Sequence, residues 1–183
     1  MKPTGIPNRK STALLVIDIQ ERLMPVIFEN EAVFSNANKL LRGAEILSLK
    51  TIVTEQYPKG LGNTCKEIQL PENQEVTEKV CFSCMKSETV LSKLKESNIT
   101  DIVICGAEAH ICVLKTALEA IENGFNVHVV ADAVSSRTLQ NKSLALERMR
   151  QSGAYIVSTE MILFMLIDEA GTDEFKAISK LIK

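Results

Sequence analysis

The sequence predicts a three-layer α/β protein, a Rossmann-like fold with a mostly parallel six-stranded sheet and helices on both faces. Three observations predict it. Short continuous apolar runs alternate with segments of helical spacing from end to end, as strands buried on both faces require. The 183 residues suit a single domain, 1–183, and a hydrophobic content of 45% is enough to fill a sizeable core. Neither a repeat, a low-complexity tract nor a linker interrupts the pattern.

Each element has its own signal. Ala13–Leu14–Leu15–Val16–Ile17 is unbroken and apolar, and it ends in Asp18. Phe34 to Leu49 carries apolar residues at helical spacing, among them Leu40, Leu41, Ile46 and Leu47. Thr51–Ile52–Val53–Thr54 is a short second strand, followed by a polar loop from Glu55 to about Glu72. Val76 and Val80 flank Lys79 in a third strand. Val90 to Lys95 is helical and closes at Asn98. Asp101–Ile102–Val103–Ile104–Cys105 is another buried strand, ended by Gly106. A helix from Ile111 to Ile121 takes Gly124 as its cap, and Val127 to Val130 forms the next strand. Asn141 to Gln151 is helical up to Gly153; Ala154 to Val157 is the last strand, and the chain is helical again from Met161.

Composition narrows the function. With 21 basic and 23 acidic residues, the net charge is −2, which provides no electrostatic footprint for nucleic acid or an anionic membrane. Aromatics at 4% make base-stacking platforms unexpected. The five cysteines are odd in number and the chain needs no staples, so a reducing compartment is expected. Met1 to Thr12 is polar, and the longest apolar run, Met161 to Ile167, is too short to span a bilayer. The expected location is the cytoplasm, with an organelle left open.

In parallel sheets ligands bind beyond the carboxyl ends of the strands. Asp18, Lys79 and the segment from Gly106 to Cys112 all fall at such ends. A helix starting near Ala109 or His110 puts Cys112 in its first turn, where free N–H groups favour a thiolate. The competing reading is a buried structural cysteine. Asp18 closes an apolar strand, so its carboxylate is either paired, catalytic or a loop anchor. Lys79 taken alone reads as a solvated surface lysine. Cys81 and Cys84 form a Cys-x-x-Cys pair open to redox or zinc chemistry, but no second pair exists, and His110 and His128 are the only histidines. With no glycine-rich phosphate loop, no nucleotide cofactor is indicated.

Five segments carry a family resemblance. They are Leu14–Leu15–Val16–Ile17–Asp18–Ile19–Gln20; Lys79 with Phe82–Ser83; Gly106–Ala107–Glu108–Ala109–His110–Ile111–Cys112–Val113; the run from Val127 to Arg137; and the run from Phe175 to Lys183. Together they resemble the isochorismatase-like cysteine hydrolases, a superfamily that includes nicotinamidases, and most closely its isochorismatase-domain-containing subgroup of unassigned function. The resemblance implies Asp18 as general base, Lys79 as the cation and Cys112 as nucleophile. It also implies a cis peptide between Ala107 and Glu108 that aims the Glu108 N–H, with that of Cys112, at an oxyanion. Pocket residues are expected at Gln20, Tyr57, Phe82 and Ile111.

The chain departs from the family pattern in two places. Nicotinamidases bind a metal through an Asp and histidines after the second strand, whereas this chain reads Thr54–Glu55–Gln56–Tyr57–Pro58–Lys59–Gly60. No metal and no cofactor are expected. Cys84 stands where close relatives often have Met. The expected activity is hydrolysis of a small amide, carbamoyl or related acyl compound through a thioester at Cys112, by a homo-oligomer with a small-molecule substrate. Vinyl-ether hydrolysis by Asp18 and water, a non-catalytic interaction module, and redox or zinc chemistry at Cys81 and Cys84 are the alternatives.

Overall fold

The computed structural model describes residues 4–183; of the polar start read from Met1 to Thr12, Met1–Pro3 lie outside the described residues. Six strands form one sheet: β1 (Thr12–Ile17), β2 (Lys50–Gln56), β3 (Val76–Lys79), β4 (Asp101–Ala107), β5 (Asn126–Ser135) and β6 (Tyr155–Val157). Their order is β3-β2-β1-β4-β5-β6, and every neighbouring pair is parallel. The continuous apolar runs follow from burial on both faces. In β1, Leu14 and Val16 enter one core, while Ala13, Leu15 and Ile17 enter the other.

The first core is covered by α1 (Asn30–Ile46), α6 (Thr159–Met165) and α7 (Asp173–Ile182), through Val33, Ala37, Leu41, Ile162, Leu163 and Ile178. The second is covered by α3 (Glu88–Glu96), α4 (Leu114–Glu122) and α5 (Leu139–Gln151), through Val90, Leu94, Ala117, Ala120 and Met149. A short α2 (Pro58–Leu61) lies between β2 and β3. Side-chain caps start four of these helices: Ser87 accepts from Val90 N–H, Thr138 from Asn141, Ser158 from Met161 and Thr172 from Phe175.

Several boundaries differ from the sequence expectation. The loop expected from Glu55 to Glu72 gives up Glu55 and Gln56 to β2 and Pro58–Leu61 to α2. The expected Val127–Val130 strand runs on to Ser135, because the β4–β5 register shifts between Ile104 and Gly106 and then resumes at Gly106↔Val134 and Ala107↔Ser135. Asp132 sits within the extended strand, and its carboxylate accepts from Thr159 N–H at 2.8 Å. The helix expected from Met161 onward is two helices, separated near Gly171 at φ 86°. The helix expected from Ile111 begins with a π turn, Ala109–Val113, before α4.

The sheet order reverses direction between β1 and β4, which opens a crevice at their carboxyl ends. Gly106 makes the close approach possible. Its φ is 119°, and a Cβ there would collide with the Ile17 carbonyl oxygen.

Candidate active site

Asp18 is the first residue beyond β1 and has a left-handed backbone, φ 51°. Its N–H donates to the Thr54 carbonyl at 3.2 Å. Its two carboxylate oxygens have separate partners: Thr54 Oγ1 donates to Oδ1 at 2.8 Å, and Lys79 Nζ donates to Oδ2 at 2.7 Å. Both side chains of the Asp18–Lys79 pair are wholly buried. A buried carboxylate is tolerable only with such partners.

Lys79 is the last residue of β3 and pairs in register with Gln56. Of the two readings of Lys79, the solvated surface lysine gives way to a buried ammonium. Besides Asp18, it donates to Gln56 Oε1 at 2.9 Å and approaches the carbonyls of Cys81 and Phe82 at 3.3 and 3.4 Å. Burial opposes its charge, but the Asp18 carboxylate more than compensates and holds its pKa above the ordinary lysine value.

Cys112 lies in the π turn that links β4 to α4, where Val113 N–H reaches back to the Glu108 carbonyl at 3.2 Å. Its thiol lies within electrostatic reach of Asp18, Lys79 and Cys84. Burial pushes the thiol well above its ordinary pKa; the Asp18 carboxylate adds to this, and Lys79 opposes it. The helical segment opens at Ala109 with Cys112 in its first turn, as expected, but burial keeps the sulfur a thiol, beside the Asp18 carboxylate, where the helix start alone favoured a thiolate. The Ala107–Glu108 peptide preceding the turn is cis. Glu108 accepts from Arg137 Nε at 2.8 Å, and His110 Nδ1 lies 3.0 Å from Ser136 Oγ, tying the turn to the end of β5.

The four expected pocket residues divide. Tyr57 and Phe82 are exposed, 54% and 52%, and Ile111 is half-buried. The Phe82 ring lies 5.8 Å below Lys115 Nζ. Gln20 is instead fully buried. Its amide donates to the carbonyls of Gln56 and Gly62 and accepts from Gln56 N–H, so it anchors loops and presents no group to a ligand.

Thr54, Gln56 and Cys84 were not singled out from sequence as partners of Asp18 and Lys79. Thr54 and Gln56 are two apart on β2, so they share a face, and that alternation was the available signal. Cys84 Sγ lies 3.9 Å from Thr54 Oγ1, and burial raises its pKa to about 12. Cys105 is buried to the same effect. Cys65, although it lies in the polar loop after β2, is buried, with backbone bonds to Ile19 and Ile68, and its pKa rises to about 11.

The residues present do not fit the metal that nicotinamidases hold after β2. Glu55 is the only acidic group there, and its Oε1 accepts both Thr64 N–H and Thr64 Oγ1. His110 is bonded to Ser136, and His128 lies at the other end of the sheet beside Asp101. Among the described residues no three His, Cys, Asp or Glu side chains converge as metal ligands.

Comparison with known proteins places this geometry in context. Residues 12–161 match the isochorismatase domain model. The isochorismatase domain-containing protein 2 of Danio rerio is 42% identical, over 100% of this chain and 92% of its own. The secreted isochorismatase effector Isc1 of Phytophthora sojae (strain P6497) is 41% identical, over 94% of this chain and 85% of its own. The MAR1 ribonuclease structure from Caenorhabditis elegans superposes with a TM-score of 0.89 at 37% identity, covering 96% of this chain and 91% of that one.

Proposed function

The chain belongs to the isochorismatase family, and on that premise we propose that it is a cysteine hydrolase of a small amide, carbamoyl or related acyl compound, working through a thioester at Cys112. One observation carries the reading: the buried Asp18 carboxylate, bonded to the Lys79 ammonium at 2.7 Å, is shared electrostatically with the Cys112 thiol.

The chemistry follows from that sharing. Asp18 accepts the thiol proton as sulfur attacks the acyl carbon, so charge never has to appear alone in the buried site. Lys79 stays charged throughout and offsets the negative charge, whichever of the two partners bears it. The tetrahedral oxyanion is received by the N–H groups of Glu108 and Cys112. Asp18 then returns its proton to the leaving nitrogen, which departs as an amine or ammonia. Water, deprotonated by Asp18, adds to the thioester; the acid leaves and Cys112 recovers its proton.

A small substrate suits the exposed rim of Tyr57 and Phe82 and a chain with net charge −2. The ribonuclease activity named for the C. elegans relative would require a phosphate-tracking basic surface, which this charge balance does not supply. We place the protein in the cytoplasm on account of its five free cysteines, although the relative from P. sojae is secreted. Exposed Val80 and Phe82 beside the site support self-association, readable by sedimentation.

The test is ammonia release from an amide and carbamate panel. Wild type should turn over at least one member with burst accumulation of an acyl adduct on Cys112, and Cys112→Ala should turn over none. Equal turnover by Cys112→Ala would remove the thioester mechanism and favour hydrolysis by Asp18 and water.

A further inference from the structure

We propose that Thr54 is a positioning residue that holds the Asp18 carboxylate in the orientation from which it takes the Cys112 proton. The proposal rests on the assignment of Asp18 as base and Cys112 as nucleophile.

Asp18 needs such a holder. As a non-glycine residue at φ 51°, it occupies a backbone region that persists only where its surroundings impose it. Thr54 imposes it twice. Its carbonyl receives the Asp18 N–H, and its hydroxyl donates to Asp18 Oδ1 at 2.8 Å. Lys79 occupies the other carboxylate oxygen at 2.7 Å. With one oxygen fixed from β2 and the other from β3, the carboxylate plane cannot turn away from the sulfur.

The direction of the Thr54 hydroxyl is itself determined. A hydroxyl has a single proton, and an ionised carboxylate can only accept, so that proton points at Oδ1. The Thr54 oxygen can then accept, and Cys84 Sγ lies 3.9 Å away with its thiol kept protonated by complete burial. Cys84 is in turn fixed from α4, because its N–H donates to Thr116 Oγ1 at 2.9 Å, one turn beyond Cys112. The chain Thr116–Cys84–Thr54–Asp18 thus runs from the helix behind the nucleophile back to its base. The titratable groups facing Asp18 are Lys79 from β3, Cys112 from the π turn and Cys84 from the turn before α3.

Two roles for the hydroxyl predict opposite signs. If it only stabilised charge on the carboxylate, its removal would leave Oδ1 a stronger proton acceptor, and Cys112 would react faster. If it positions the carboxylate, its removal lets the plane turn, and Cys112 reacts more slowly.

The experiment is the rate of Cys112 carbamidomethylation by limiting iodoacetamide on the folded protein, read by peptide mass spectrometry from pH 6 to 9. Thr54→Val keeps the shape and should slow Cys112 about tenfold or more at neutral pH, the scale of a lost hydrogen bond to a charged group. Thr54→Ser keeps the hydroxyl and should stay within about twofold of wild type. A Thr54→Val rate equal to or above wild type, or a Thr54→Ser rate as slow as Thr54→Val, overturns the proposal. Should Thr54→Val not fold, Cys84→Ala against Cys84→Ser tests the same hydroxyl from behind: only the alanine variant should slow Cys112, and equal rates overturn the proposal. Asp18→Asn separates the levels. If it leaves the labelling rate unchanged, the base assignment itself fails; if it slows labelling while Thr54→Val does not, only the role of Thr54 fails.

Discussion

Two buried carboxylate–nitrogen pairs lie at opposite ends of the same sheet. At the carboxyl end Asp18 meets Lys79 at 2.7 Å; at the amino end Asp101, the first residue of β4, meets His128 of β5 at 3.2 Å. Among the described residues the amino-end pair has only local partners, and His128 Nδ1 is buried without a hydrogen bond. Thr100 Oγ1 donates to Asp101 Oδ2, and the His128 ring stacks on Tyr155 at 5.1 Å. The strands there are regular. At the carboxyl end the backbone departs from strand geometry at Asp18 and Gly106, and a third titratable group, Cys112, shares the carboxylate. A buried carboxylate–nitrogen pair by itself therefore says little about reactivity. A thiol brought to it where strands end is what distinguishes the candidate site from a structural pair.

The sharpest break of this comparison is Cys112→Ala. It should lower turnover on the order of a thousandfold or more while leaving the melting temperature within a few degrees, since only a thiol is lost. The matching change at the amino end, His128→Gln, should leave Cys112 labelling as in wild type.

Next in size is Gly106→Ala. The added methyl meets the Ile17 carbonyl oxygen, which belongs to the backbone and has little room to yield. Urea unfolding should show a loss of about 4 kcal/mol or more. A near-neutral result would mean that β1 and β4 can separate without disturbing the crevice.

Lys79→Met should follow, at about 3–5 kcal/mol, because a carboxylate is left buried without its cation. Chemical denaturation reads the loss, and Cys112 labelling should slow in the same variant. If Lys79→Met is as stable as wild type, the Asp18–Lys79 pair is no more demanding than the pair at the amino end.

The smallest effect is a pH dependence confined to the amino end. Burial holds the His128 pKa below its ordinary 6.5, only partly offset by Asp101. The unfolded chain therefore takes up this proton first. The contribution is complete above about pH 6.5 and is lost as pH falls from there toward the lower folded-state value. The slope is at most about 1.4 kcal/mol per pH unit, the limit for one proton. Urea midpoints at pH 7 and pH 5.5 should converge in His128→Gln relative to wild type. An unchanged pH dependence in that variant would assign the acid sensitivity to another group.

Much of the fold was legible because burial on both faces leaves a direct mark. Ala13 to Ile17 and Asp101 to Cys105 are apolar at every position or nearly so, and only a central parallel strand requires that. The continuation of β5 was hidden because its bulge admits Asp132, whose carboxylate is satisfied by a helix N-terminus elsewhere in the chain. The π turn was hidden because one extra residue per turn leaves the apolar spacing from Ile111 almost unchanged.

The sequence by itself determined the alternation of buried strands and helices, and hence which residues fall at carboxyl ends: Asp18, Lys79 and the Gly106–Cys112 segment. Only the tertiary structure decided what those residues are to one another. Lys79 carries the same sequence neighbours as any exposed lysine, and its burial comes from pairing with Gln56 of β2. Cys65 sits among polar residues, yet packing over β1 and its loop hides it. A place in the first turn of a helix favours a thiolate at Cys112, yet burial and the nearness of Asp18 keep it a thiol. Protonation and burial depend on distances between segments far apart in sequence, and those distances exist only once the sheet order has formed.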